Sequence, residues 1–207
     1  MNDVMAASPP SIRPATPQDA AALAELVNFA GEGLPLYVWA EIAKDGEDPW
    51  AVGRARAARA QGSFSYRNAS VIEQDGALAA ALIGYLLPDV PEAIDANMPA
   101  MFVPLQELEN LAPSTWYVNV LASYPQWRRR GLGAALLAHA ETLAEVASTK
   151  KGMSVIVADN NVGARRLYER MGYRERAKRP MVKESWQGSG SAWVLLVKEP
   201  DADAPNA

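Results

Sequence analysis

Three arginines followed by a spaced glycine pair, Arg128-Arg129-Arg130-Gly131-Leu132-Gly133, form the stretch of this sequence best suited to chemistry. Glycine permits positive φ and close approach of backbone to a ligand, and the first N–H groups of a helix have no partner inside it. An anion fits such a place, with a phosphate-bearing ligand as the first candidate. The helix dipole contributes up to ~1 kcal/mol per favourable charge interaction, and the arginines add to it. The same residues also fit a tight turn with solvated arginines. They are not a dinucleotide fingerprint, because the third glycine is missing and no acidic ribose ligand follows at the expected place. That argues against a nicotinamide cofactor.

The elements that must position this stretch are readable on either side of it. Trp116 to Ser123 is rich in aromatic and β-branched residues and predicts a central strand, closed by Pro125. Leu132, Ala135, Leu136, His139, Leu143 and Val146 recur with helical spacing, so the glycines stand at a helix N-terminus. Met153 to Ala158 reads as the next strand and Asn161 to Arg170 as another helix, with Ala164, Leu167, Tyr168 and Met171 on one stripe and Gly172 as its stop. Asn161 fits the N-cap. Tyr173 to Arg179 and Ser191 to Lys198 are the last two strands.

Upstream, Ser11 to Ala15 is a short strand, and Thr16-Pro17 starts a helix whose apolar face is Ala22, Leu23, Leu26, Val27 and Phe29. Gly31-Glu32-Gly33 breaks it. Leu36 to Lys44 and Pro49 to Ala60 are short helices, and Asp75-Gly76 turns a hairpin between Ala69 to Gln74 and Ala77 to Leu87. Pro88 to Ser114, proline-rich with a short helix near Phe102 to Leu111, is long enough to serve as a lid or wall of a site.

Composition removes several classes of function. The chain has 207 residues, 49% hydrophobic and 21% charged, which is the composition of a folded domain. A net charge of -4 argues against nucleic acid as a partner of the arginines. There is no cysteine, so a thiol nucleophile and thiolate metal sites are excluded, and the single histidine, His139, is a packed or capping residue with no metal-ligand set beside it. No metal is expected. No apolar run is long enough to span a bilayer and the opening residues lack a signal-peptide pattern, so no membrane association and a cytoplasmic location are expected.

Taken together, Arg128-x-x-Gly131-x-Gly133, the preceding Leu121-Ala122-Ser123-Tyr124-Pro125, and Asn161-x-x-Ala164-x-x-Leu167-Tyr168-Glu169-x-x-Gly172-Tyr173 resemble the motifs of the GNAT superfamily of N-acetyltransferases. Ser11 to Thr16 is similar to that family's opening strand. The resemblance implies an α/β (α+β) acyl-CoA N-acyltransferase fold over residues 11–198, between a flexible terminus at 1–10 and a flexible tail at 199–207. Its central sheet is mixed and mostly antiparallel, with helices on both faces and one splayed strand pair. It also implies acetyl-CoA as the donor. Leu121, Ala122 and Ser123 would face the pantetheine arm, and Arg128, Arg129, Arg130, Gly131, Leu132, Gly133 and Ala134 would hold the pyrophosphate. Asn161 and Ala164 would line the cofactor, and Tyr168 would protonate the departing thiolate as general acid.

What the family resemblance implies for the acceptor is less specific: a primary amine, on a small molecule or a peptide, attacking directly in a ternary complex. No Glu or Asp stands in Trp116 to Ser123, so the base is unassigned. Glu32 and Glu73 are candidates for it, a water chain is another, and Tyr37 and Asn119 are further candidates for contact with the acceptor. A non-catalytic acyl-CoA sensor and an acyltransferase for longer acyl chains are the alternatives. A monomer or a homodimer fits equally well.

Overall fold

The structure is a computed structural model that describes residues 11–147 and 151–200, so the expected flexible segments 1–10 and, but for its first two residues, 199–207 lie outside the described residues. Its strands are β1 (Ile12–Pro14), β2 (Ala69–Gln74), β3 (Ala77–Leu86), β4 (Trp116–Ser123), β5 (Met153–Ala158), β6 (Arg174–Pro180) and β7 (Ala192–Lys198). Its α-helices are α1 (Ala20–Ala30), α2 (Leu34–Ile42), α3 (Pro49–Ala57), α4 (Val103–Glu109), α5 (Leu132–Val146) and α6 (Val162–Arg170). One sheet runs in the order β1-β2-β3-β4-β5-β7-β6. Every neighbouring pair is antiparallel except β4 and β5, which the α5 crossover makes parallel.

The apolar run of β3 is explained by burial on both faces of the sheet. Ala80 and Leu82 pack with Leu132, Leu136, Leu137 and Ala140 of α5. Ala81 and Ile83 pack with Leu23, Leu26 and Val27 of α1 and with Trp39 and Ala57. At the β5 to β7 end, Leu108 of α4 and Trp186 cover Trp193 and Leu195. The β2–β3 hairpin has positive φ at both Asp75 (51°) and Gly76 (76°), as the two-residue turn requires. His139 packs half-buried on α5, with Nε2 3.1 Å from the Ser70 hydroxyl. Phe29 departs from the expected apolar face: it is 43% exposed and stands edge-on to Tyr124, 5.9 Å between ring centroids.

A bulge in β4 sets the geometry of the site. Ile83 pairs with Val120 and Gly84 with Val118, which leaves Asn119 without a partner on β3. The extra residue turns the strand over. Val118 therefore packs on the α5 side and Val120 on the α1 side, although strict alternation would put both on one face. Gly84 is required opposite the bulge, because the Trp116 ring lies over it and a Cβ there would meet Cη2 at 2.0 Å. Pairing of β4 with β5 ends in the same place, at Val118 and Val155. Beyond it, 119–123 stays with β3 while 156–158 stays with β7. The two strand ends part.

Candidate active site

The parted ends of β4 and β5 open into a cleft of about 800 Å³, walled by Leu121, Ala122 and Ser123 on one side and Ile156 and Val157 on the other. The first turn of α5 closes its mouth. Gly131 caps this helix with φ +82°, Arg129 also holds a left-handed φ of +60°, and no described side chain caps the terminus. The first intrahelical bond runs from Ala135 N–H to the Gly131 carbonyl at 3.0 Å, so the N–H groups of Leu132, Gly133 and Ala134 have no acceptor inside the helix. The two glycines have different reasons. At Gly131 a side chain would meet open space and the requirement is conformational, whereas a Cβ on Gly133 would stand 2.9 Å from Leu167 Cδ2.

The three arginines separate. Arg128 and Arg129 line the cleft, and Arg128 Nε donates to the Ser123 carbonyl at 3.3 Å. Arg130 is not part of the lining: its guanidinium stacks on the Trp127 ring, 4.7 Å from the centroid, and Trp127 itself lines the cleft.

The opposite wall comes from α6. Asn161 Oδ1 accepts from Ala164 N–H at 3.2 Å as the N-cap, and both residues line the cleft. Tyr168 is 4% exposed and tilts against Tyr173 at 5.6 Å. No fully buried side-chain polar atom lacks a hydrogen-bond partner among the described residues. Tyr168 lines the cleft, and its hydroxyl bonds to no described side chain or backbone group. Burial raises its pKa above the ordinary phenol value, which keeps the hydroxyl protonated at neutral pH.

Residues 31–173 match the family model described as the Acetyltransferase (GNAT) family. The chain belongs to the GNAT family. A solved acetyltransferase is 21% identical with a TM-score of 0.63, the match covering 92% of this chain and 100% of that one. An N-acetyltransferase from Staphylococcus aureus Mu50 is 19% identical with a TM-score of 0.61, covering 90% and 99%. The ribosomal-protein-S18-alanine N-acetyltransferase from Escherichia coli is 17% identical with a TM-score of 0.58, covering 96% and 99%. At these identities the likeness is one of fold. Comparison with curated protein sequences gave no match.

Two of the expected acceptor-side residues reach the GNAT cleft and two do not. Glu32 lines it with a left-handed φ of +51°, its carbonyl accepting from Trp186 Nε1 at 3.2 Å, so the loop from β6 to β7 fixes the loop before α2. Asn119, the bulge residue, lines it too. Tyr37 lies outside the lining and packs among Leu34, Trp186 and their neighbours. Glu73 is corrected as a base: it lies on β2, two strands away from the cleft, and is ion-paired to Arg13 of β1. Sequence reasoning missed Phe29, Trp127 and Trp193 as cleft walls. The 88–113 segment, expected as a lid or wall, covers a second cavity of about 470 Å³ that the sequence did not locate, lined by Tyr85, Glu92 and Glu109 among others and sharing Asn119 with the cleft lining. Among the described residues no helix is long and apolar enough to cross a membrane, and no group of three or more His, Asp or Glu is placed to hold a metal ion.

Proposed function

We propose that this GNAT protein moves an acetyl group from acetyl-CoA to a primary amine by direct attack in a ternary complex. The observation that carries the proposal is the parting of β4 and β5 in front of an uncapped helix N-terminus. An extended pantetheine arm suits the strand edge at 121–123, which has lost its neighbour. The pyrophosphate suits the free N–H groups of 132–134 with Arg128 and Arg129 beside them. Asn161 and Ala164 would bound the arm from the α6 side.

Catalysis would rest on holding amine and thioester together, with a backbone N–H such as that of Leu121 facing the carbonyl oxygen as charge develops. Tyr168, neutral and lining the cleft, would give its proton to the departing sulfur. The chain has no cysteine to carry the acetyl group, which favours the direct route. Calorimetric titration with acetyl-CoA tests the donor assignment. One-to-one binding that weakens on Arg128→Ala is expected, and no heat with either acetyl-CoA or CoA would overturn it.

A further inference from the structure

Resting on the acetyl-transfer reading, we propose that the second cavity is the acceptor site, that it takes a cationic primary amine on a partly apolar body, and that Glu109 receives the ammonium proton. The cavity is shaped for this. It holds about 470 Å³, has Leu87, Phe102 and Leu105 in its walls, and among the described residues its only charged lining side chains are Glu92 and Glu109. Two carboxylates without a lysine or arginine attract a cation and repel an acid.

The cavity is also joined to the chemistry. Asn119 belongs to both linings, so the β4 bulge is the wall the two cavities share. Tyr117, two residues earlier, has both Glu109 and Tyr168 within electrostatic range. The cover is fixed in place: Asn110 accepts from Glu92 N–H at 2.9 Å and donates to the Glu92 carbonyl at 2.8 Å. On the opposite side of α4, Glu107 accepts from Arg179 at 2.6 Å, tying the helix to β6.

Glu109 has no cationic partner among the described residues. The titratable groups facing it are Tyr117 from β4, Tyr85 from β3 and Glu92 from the cover. Burial first, and then Glu92, push its carboxyl up to about 7, with Tyr117 opposing. A carboxylate of that basicity suits proton transfer at neutral pH.

The protons balance. The entering ammonium gives one proton to Glu109, and the freed lone pair forms a C–N bond with the thioester carbonyl carbon. Collapse breaks the C–S bond, sulfur takes the Tyr168 proton, and the second N–H proton returns to the Tyr168 phenolate. Amide and thiol leave, and Glu109 releases its proton to solvent.

The test measures CoA release by the full chain with acetyl-CoA and phenethylamine, phenylalanine, 1,4-diaminobutane or an alanyl peptide. Phenethylamine should exceed phenylalanine by at least ~10-fold in kcat/KM, since the added carboxylate meets Glu92 and Glu109. Glu109→Gln should lower kcat/KM for the amine by ~10²-fold with acetyl-CoA affinity unchanged. Its rise near pH 7 should vanish, leaving a rise that follows the amine's own deprotonation. Leu105→Trp, which fills the cavity, should raise KM for the amine alone. Wild-type turnover with the same pH profile in Glu109→Gln would overturn this inference only. So would a loss in Glu109→Gln that comes with a lower Tm and weaker acetyl-CoA binding. A wild-type chain that releases no CoA with any amine would overturn the acetyl-transfer reading itself.

Discussion

Replacing Tyr168 with phenylalanine removes one oxygen and leaves the packing in place. The ring stays against Tyr173, 5.6 Å away, and the lost hydroxyl had no hydrogen bond to a described residue. Folding stability should therefore change by less than about 0.5 kcal/mol. The catalytic effect is set by how much acid assistance the leaving group needs. A thiol has a pKa near ~8.5, below that of a phenol near ~10, and burial raises Tyr168 further. Proton transfer to the sulfur is thus not strongly driven, which places the loss at the lower end for general acids, ~10²-fold in kcat or about 2.7 kcal/mol. Steady-state thiol release with saturating amine measures kcat, and calorimetry measures acetyl-CoA affinity, which should stay the same. A kcat within about twofold of wild type at unchanged affinity would refute the acid role.

Asp19 offers a pH test of the fold: the Arg13 guanidinium foremost, with N–H and hydroxyl donors of Thr16, holds its carboxyl at about 2. That is below the unfolded value near ~3.9, so its contribution is present above pH ~4 and fades as pH falls through ~2. After discounting for the partly exposed arginine, Asp19→Asn should lose about 1 kcal/mol in urea unfolding at pH 7, with the gap closing toward pH 2. Gly84→Ala drives a methyl into the Trp116 ring and should cost about 1–3 kcal/mol, part of which Trp116→Leu restores in the double variant by thermal melting. Gly131→Ala meets no clash but must hold φ +82°, so calorimetry should find it about 1–2 kcal/mol less stable, with weaker acetyl-CoA binding.

The strands and helices around the anion site were legible because each carries a local signal. Trp116 to Ser123 is the observed β4 and Met153 to Ala158 the observed β5, since β-branched and aromatic runs between turn residues admit little else. Asn161 was legible as a cap from its place before an amphipathic run. The bulge at Asn119 was not, because nothing in Val118-Asn119-Val120 says that an extra residue must be absorbed; it shows only in the pairing with β3, where the Trp116 ring lies over Gly84. Glu109 was not singled out from the sequence. It follows Leu105 by four residues on the face that lines the cavity, so a carboxylate stood beside an apolar stripe. What the stripe could not disclose is the approach of Tyr85 and Tyr117, which the sheet supplies. Glu73 misled for the converse reason: its partner Arg13 is 60 positions away in sequence.

The most direct measurement is CoA release, followed with a thiol reagent, from acetyl-CoA and a panel of primary amines, with mass spectrometry of the acceptor. Acetyl transfer predicts one acetylated amine for each CoA released, with the modification on nitrogen. Tight acetyl-CoA binding without CoA release for any amine, peptide amines included, would contradict it and leave a protein that only senses the cofactor.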